Sequence, residues 1–227
     1  MLIMSDIRNN IKAVVDDLRN GARLVAVSKF NPSERLMEAY EAGQRVFGES
    51  QAQELMAKQQ VLPADIEWHF IGHLQTNKVK YIAPFISLIH AVDTVKLLKE
   101  IDRQGRKNDR VLHCLLEIHI ASEESKYGFS KDDLMTFLES GEWKTMDYVS
   151  IDGLMCMATN TDDEQQIRSE FRRAKQIYDE VKSRFFSDDS HFCELSMGMS
   201  DDYNIALDEG STLVRVGSKI FGSRVYA

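Results

Sequence analysis

The 227-residue sequence has few prolines and cysteines, and no apolar run long enough to cross a membrane. With three prolines and no linker or break in composition, we predict a single domain over residues 1–227. The three cysteines, Cys114, Cys156 and Cys193, are an odd number without a CxxC pair, which is typical of a reducing cytoplasm. The first ten residues also lack the pattern of an export signal. We therefore expect a cytoplasmic protein without a membrane partner.

Positive charge is also scarce. The chain has 28 Lys and Arg against 36 Asp and Glu, a formal net charge of −8. Because phosphate backbones attract basic surfaces, this balance argues against a nucleic-acid partner, although a local basic pocket for a small anion is compatible with it. Among the six histidines, His69 and His73 are four residues apart, but Gly72 interrupts them at a strand end. We predict no metal site and assign the histidines to hydrogen bonds.

Strands and helices alternate along the whole chain. Several of the strand-like runs are apolar throughout, which is typical of a parallel sheet covered on both faces. Eight such units in about 200–250 residues predict an α/β protein with a single (β/α)8 TIM barrel. The eight runs are residues 23–29, 45–49, 66–72, 87–93, 110–120, 148–157, 193–198 and 212–222.

An extra N-terminal helix precedes the first strand, with a cap candidate at Ser5 and Ile7, Ile11 and Val14 on one face. The alternative fold is a doubly wound open sheet. That fold would require a glycine-rich turn after the first strand, and residues 27–36 contain no glycine.

In a barrel of this kind the chemistry lies at the C-terminal ends of the strands. The first strand ends on Lys29. A lysine amine that loses its water is disfavoured as an ammonium ion, and its neutral form can attack an aldehyde. The alternative is an ordinary ion-paired lysine at a strand end.

The loops after strands 7 and 8 often hold phosphate in such barrels. Gly198, Met199 and Ser200 follow strand 7, where backbone N–H groups at a helix start favour an anion. Gly217 and Ser218 lie in the end of strand 8 and supply a second close backbone and hydroxyl. The alternative for Ser200 is a plain helix N-cap without a ligand.

Arg215 lies inside the apolar run of strand 8, where a charge is costly without a partner. It forms either a core salt bridge or a hydrogen bond to a ring nitrogen of a ligand. A lysine, an arginine and a phosphate cradle together suggest pyridoxal 5′-phosphate (PLP), which carries an aldehyde, a pyridine nitrogen and a phosphate on one ring.

Seven stretches of the sequence, in this order, resemble the pyridoxal phosphate homeostasis protein family over nearly the whole chain. They are LVAVSK (residues 24–29), FGE (47–49), IEWHFIGHLQTNK (66–78), SKYGF (125–129), GLMCM (153–157), SMGMSDD (196–202) and GSTLVRVGSKIFG (210–222). The resemblance implies the barrel of alanine racemase, the fold-type III PLP class, without its second domain.

The resemblance also implies roles for single residues. Lys29 would carry PLP as a Schiff base, Arg215 would face the pyridine nitrogen, and the phosphate would be held by Ser200, Gly217 and Ser218, beside Met199. His69 is expected to line the pocket. Many members of the family have asparagine in place of Ser50, which we assign either to a contact near the ring or to a capping box with Gln53. Residues 122–126 predict a solvated or lid-like loop.

An arginine opposite the pyridine nitrogen disfavours its protonation, so the ring is a poor electron sink. We also find no candidate for the second base that a racemase requires. The sequence therefore favours a monomeric PLP carrier that serves in intracellular PLP homeostasis and passes the cofactor to PLP-dependent apoenzymes. We expect no robust enzymatic turnover and assign no catalytic residues. The alternatives are a PLP-dependent amino-acid racemase and a cofactor-free Schiff-base aldolase that uses the same lysine.

Overall fold

The computed structural model describes residues 6–122 and 127–222 of the chain. Eight parallel strands form a closed barrel in sequence order, and β1 pairs with both β2 and β8. This closure confirms the predicted (β/α)8 barrel, and the doubly wound sheet is wrong. The predicted cap at Ser5 and residues 123–126 of the predicted loop at 122–126 lie outside the described residues. The strands are β1 (Arg23–Val27), β2 (Val46–Glu49), β3 (Glu67–Phe70), β4 (Leu88–Val92), β5 (Leu112–Glu117), β6 (Val149–Met155), β7 (Glu194–Met199) and β8 (Leu213–Val216).

Helices connect the strands on the outside of the barrel. The described helices are α1 (Ile7–Asp17), α2 (Ser33–Glu41), α3 (Ala52–Gln59), α4 (Thr76–Ile82), α5 (Val95–Asn108), α6 (Lys131–Ser140), α7 (Glu164–Phe185), α8 (Tyr203–Asp208) and α9 (Ser218–Phe221). None of them combines the length and the apolar character that crossing a bilayer demands.

Helix α1 is the predicted extra N-terminal helix. It begins after Asp6, whose side chain accepts a hydrogen bond from the backbone N–H of Asn9. Its buried face consists of Ile7, Ile11 and Val14, as the spacing of the apolar residues predicts.

The apolar core has two parts. The larger part lies between the sheet and the surrounding helices, and the smaller part fills the barrel with Val25, Leu88, Ala91, Leu115 and Met155, among others. Strand β4 is buried along its whole length because it contributes to both parts. This is the reason why its sequence is apolar apart from the buried His90.

Two local predictions are wrong. The capping box of Ser50 and Gln53 does not form, because α3 begins at Ala52 with Gln51 at the N-cap and no side-chain cap bond. Ser50 forms a bend directly after β2 and packs against the backbone at Gly72, where a Cβ atom would lie 2.7 Å from that of Ser50.

The second error is at the end of the chain, where the predicted strand continues to residue 222. Strand β8 instead ends at Val216, and α9 follows. The carbonyl of Gly217 accepts hydrogen bonds from the N–H groups of Ile220 and Phe221, so it is used by a helical turn and not by the sheet. Helix α4 was likewise not predicted in the segment after β3.

Candidate functional site

A cavity of about 220 Å³ opens at the C-terminal end of the barrel. Six of the eight residues predicted as site residues line it, together with Val27, Ile71, Met157 and Asp201. The six are Lys29, Met199, Ser200, Arg215, Gly217 and Ser218. The fold thus brings together residues at the C-terminal ends of β1, β7 and β8 that are up to 189 positions apart in sequence. That they bind a cofactor stays a prediction.

The other two predicted residues lie elsewhere. Ser50 lines a separate cavity of about 190 Å³, which His73 and Lys78 also line. His69 is buried inside the barrel, where its Nδ1 lies 3.0 Å from His90 Nε2. It is not among the residues that line the Lys29 cavity.

The main chain on both sides of Lys29 is fixed by charged side chains of α3. The carbonyl of Ser28 accepts a hydrogen bond from Lys58 Nζ at 2.8 Å, and the N–H of Phe30 donates to Glu54 Oε1 at 2.7 Å. Phe30 itself has a φ of 64°, a left-handed conformation that is uncommon for a side chain of this size. The α3 side chains therefore hold a sharp turn that begins at the half-buried Lys29.

Lys58 is the centre of this group. Its ammonium lies 2.7 Å from both Glu49 Oε1 and Glu54 Oε1, and Ser28 Oγ donates to Glu49 Oε1 at 2.6 Å. The other carboxylate oxygen of Glu49 is buried and has no hydrogen-bond partner among the described residues. Burial raises the pKa of Glu49, and the attraction of Lys58 opposes this shift. We did not predict this group, although Glu49 closes an apolar strand just as Lys29 does.

The loops after β7 and β8 are joined beside the cavity. The N–H of Gly217 donates to Ser200 Oγ at 3.1 Å, and the N–H of Met199 donates to Asp202 Oδ1 at 2.5 Å. Gly198 has a φ of 90°, which favours glycine. The N-cap of α8 is Asp202, so the reading of Ser200 as a plain N-cap is wrong.

The hydrogen-bond partners of Arg215 are neutral groups. It is buried, and its guanidinium donates to Ser196 Oγ at 2.6 Å and to the Cys156 carbonyl at 2.9 Å. Within the part of the chain that the structure describes, it forms no ion pair within 4.0 Å, so the alternative of a core salt bridge finds no partner there. Nearby, burial and the charge of Asp93 raise the pKa of Glu117 to about 7, while Arg215 lowers it.

The chain matches a known family along almost its whole length. The family described as the alanine racemase N-terminal domain matches residues 4–225. The pyridoxal phosphate homeostasis protein of Aquifex aeolicus is 38% identical over 208 residues, which cover 91% of this chain and 89% of the relative. That of Haemophilus influenzae is 34% identical and covers 92% of this chain and 88% of its own. The chain belongs to the pyridoxal phosphate homeostasis protein family.

Two solved structures have the same barrel. PipY of Synechococcus elongatus, determined with PLP bound, is 33% identical, with a TM-score of 0.86 over 95% of this chain and all of PipY. Alanine racemase of Streptomyces coelicolor has a TM-score of 0.80 at 16% identity and covers 96% of this chain, which covers 58% of the racemase. The second likeness shows the fold alone, the fold-type III barrel predicted from the sequence. The relatives' shared name describes a homeostatic role and not a reaction.

Proposed function

We propose that this protein binds PLP as a Schiff base on Lys29 and serves in intracellular PLP homeostasis without robust turnover. The observation that supports this proposal is the single cavity into which an amine, a guanidinium and a serine-glycine turn all face. PLP has one group for each of them. The relatives' name and the PLP bound to PipY support the same ligand.

The aldehyde would meet Lys29. A neutral lysine amine attacks an aldehyde, and loss of water forms the carbon–nitrogen double bond. Such a bond is reversible, so it suits a protein that stores and releases a reactive aldehyde. The fixed turn of Ser28 and Phe30 supports a single position for the start of this side chain.

The phosphate would lie against the loops that follow β7 and β8, and β8 is the strand next to β1. Ser200 Oγ already accepts the N–H of Gly217, so the hydrogen of its hydroxyl is available to a phosphate oxygen. Ser218 adds a second hydroxyl, and Met199 lies along the same wall. Neutral donors of this kind can bind a phosphate without a positively charged side chain, as they do at the starts of helices.

The pyridine nitrogen would meet Arg215. Because no described carboxylate pairs with this guanidinium, its positive charge disfavours a proton on the ring nitrogen. An unprotonated ring is a weak electron sink, and the racemase alternative also requires two bases. Among the described residues that line the cavity, Asp201 is the one side chain besides Lys29 that could act as a base. The weak electron sink argues against racemisation even with such a pair. We assign no catalytic residues.

The test is an absorbance spectrum of the purified protein after addition of PLP, followed by borohydride reduction and peptide mass spectrometry. We expect an imine band in the wild type, and a reduced adduct on the peptide that contains Lys29. Lys29→Ala should lose both. The matched control Lys219→Ala, an exposed lysine of α9, should keep both. A band that survives in Lys29→Ala, or an adduct on another lysine, would contradict the proposal.

Three further parts of the proposal can be tested separately. The chain acts as a single cytoplasmic domain. It is a monomer, and light scattering after gel filtration tests this by measuring its molar mass in solution. It passes PLP to PLP-dependent apoenzymes, so the loaded protein should restore activity to such an apoenzyme. Rapid racemisation of amino acids by the loaded protein would favour the racemase alternative. Aldol cleavage by protein free of PLP would favour the aldolase.

A further inference from the structure

Four polar side chains form a continuous hydrogen-bonded series inside the barrel. Arg215 Nη1 lies 2.6 Å from Ser196 Oγ, which lies 2.9 Å from His90 Nδ1. The Nε2 atom of His90 lies 3.0 Å from His69 Nδ1. All four residues are at least 96% buried, so water does not substitute for these bonds. Only Arg215 reaches the cavity.

Both imidazoles in this series are neutral. Burial lowers the pKa of His69 to about 3, and burial together with the neighbouring His69 and Arg215 lowers the pKa of His90 well below its ordinary value. A neutral imidazole carries one N–H donor and one acceptor nitrogen. Arg215 is therefore the charged member of the series.

The direction of the hydrogen bonds follows from the arginine. A guanidinium can only donate, so Ser196 Oγ accepts from Arg215. Among the described residues, the other partner of Ser196 Oγ is His90 Nδ1, which must therefore receive the serine hydrogen if that hydrogen is to be satisfied. His90 then carries its hydrogen on Nε2 and donates to His69 Nδ1, and His69 also carries its hydrogen on Nε2. The opposite order would leave the serine hydrogen without an acceptor.

From this geometry we infer that Ser196, His90 and His69 are positioning residues, which fix the guanidinium of Arg215 against the cavity without neutralising its charge. The inference rests on the proposed function, in which Arg215 faces the pyridine nitrogen of PLP. Together with the Cys156 carbonyl, the series uses two of the five N–H donors of the guanidinium and sets its plane. A carboxylate in place of Ser196 would hold the arginine equally well, but it would cancel the charge that keeps the ring nitrogen unprotonated.

The first test needs no cofactor. Long-range proton–nitrogen correlation spectra of the ligand-free full chain report which ring nitrogen of each histidine carries hydrogen. We expect both His69 and His90 to be neutral with hydrogen on Nε2, and Ser196→Ala to disturb the His90 signals. Hydrogen on Nδ1 of His90, or a protonated ring at neutral pH, would overturn the assigned direction.

The second test measures PLP binding and the absorption band of the bound cofactor. Ser196→Ala and His90→Phe should each weaken PLP binding by about tenfold or more and shift the band, because the guanidinium loses its fixed plane. The matched control is Ser211→Ala, another buried serine, whose Oγ lies 2.8 Å from the backbone carbonyl oxygen of Met197 and 3.1 Å from that of Leu213. It should change affinity by less than about threefold and leave the band unshifted.

The outcomes separate the two proposals. A wild-type band that persists unchanged, at unchanged affinity, in both Ser196→Ala and His90→Phe would overturn the positioning role and leave the proposed function intact. If Ser211→Ala shifts the band equally, the effect is general loss of packing and the positioning role is likewise overturned. If the wild-type protein binds no PLP, the proposed function fails and the role of the series toward PLP fails with it. The spectra of the ligand-free protein would then still decide whether the series itself exists.

Discussion

Lys58→Met is the substitution that most directly tests the group that holds the Lys29 turn. The side chain of Lys58 is 6% exposed, and its ammonium binds Glu49, Glu54 and the Ser28 carbonyl. Methionine has a similar length and fills the space without a charge. Removing one partner of a buried ion pair typically costs about 3–5 kcal/mol, because the remaining charge is left without compensation.

The cost should depend on pH because Glu49 can take up a proton. Without Lys58, burial raises the folded-state pKa of Glu49 further above its unfolded value, which lies near 4.3. Between the two values the folded protein binds a proton that the unfolded chain does not bind, so stability falls as the pH rises. We expect a loss of about 3 kcal/mol or more at pH 8 and a clearly smaller loss at pH 5.

The assay is urea denaturation at both pH values, followed by tryptophan fluorescence. With slopes of about 1–3 kcal/mol per molar urea, a loss of this size moves the midpoint by roughly 1 M or more at pH 8. The matched control is Lys99→Met, whose partner Glu142 lies 2.6 Å away in an exposed pair. That pair is worth at most about 1 kcal/mol. The reasoning is refuted if Lys58→Met is no more harmful than Lys99→Met, or if its cost does not grow with pH.

Three further predictions concern other parts of the fold. Gly198→Ala should lower the free energy of unfolding by about 2–5 kcal/mol, because alanine disfavours a φ of 90° and its Cβ would lie 2.5 Å from the Cβ of Ala206. Its control, Gly21→Ala, has a φ of 76° with no atom within 4 Å of the new Cβ and should lose only about 1–2 kcal/mol in the same urea assay. A thiol reagent should modify the exposed Cys193 quickly and the two buried cysteines only after unfolding, and fast reaction of two thiols would contradict this. The free energy of unfolding should fall as the pH falls from about 6.5 towards 3, because His69 and His90 take up protons in the unfolded chain and stay neutral in the folded one. His90→Phe should make this pH dependence less steep.

The architecture and most of the cavity were predictable because they depend on patterns local to each strand. Apolar runs that recur eight times with helices between them determine a closed barrel, and the barrel determines that strand ends meet. Lys29, Ser200 and Arg215 could therefore be assigned to one site from their positions at or near the strand ends. The resemblance to a known family added residue roles that spacing alone does not give.

The interior contacts were not predictable from such patterns. His69 lies near the end of β3, and the sequence does not reveal whether its ring lies in the cavity or below it, because the register of β3 against β4 decides this. The pairing of His90 with Ser196 joins side chains 106 positions apart. The capping box at Ser50 failed for a related reason, since Ser50 packs against Gly72, a residue of another strand end that the local capping signal does not include.

The two buried networks of the site are built differently, and the difference follows from what each one holds. The Lys58 group binds backbone atoms beside Lys29, so its charges can compensate one another without altering the amine. The series behind Arg215 binds the functional group itself, and a carboxylate there would change its charge. Neutral histidines and a serine supply hydrogen bonds without that consequence. A buried arginine whose described hydrogen-bond partners are all neutral, at the mouth of a cavity, therefore itself indicates that its charge interacts with a ligand.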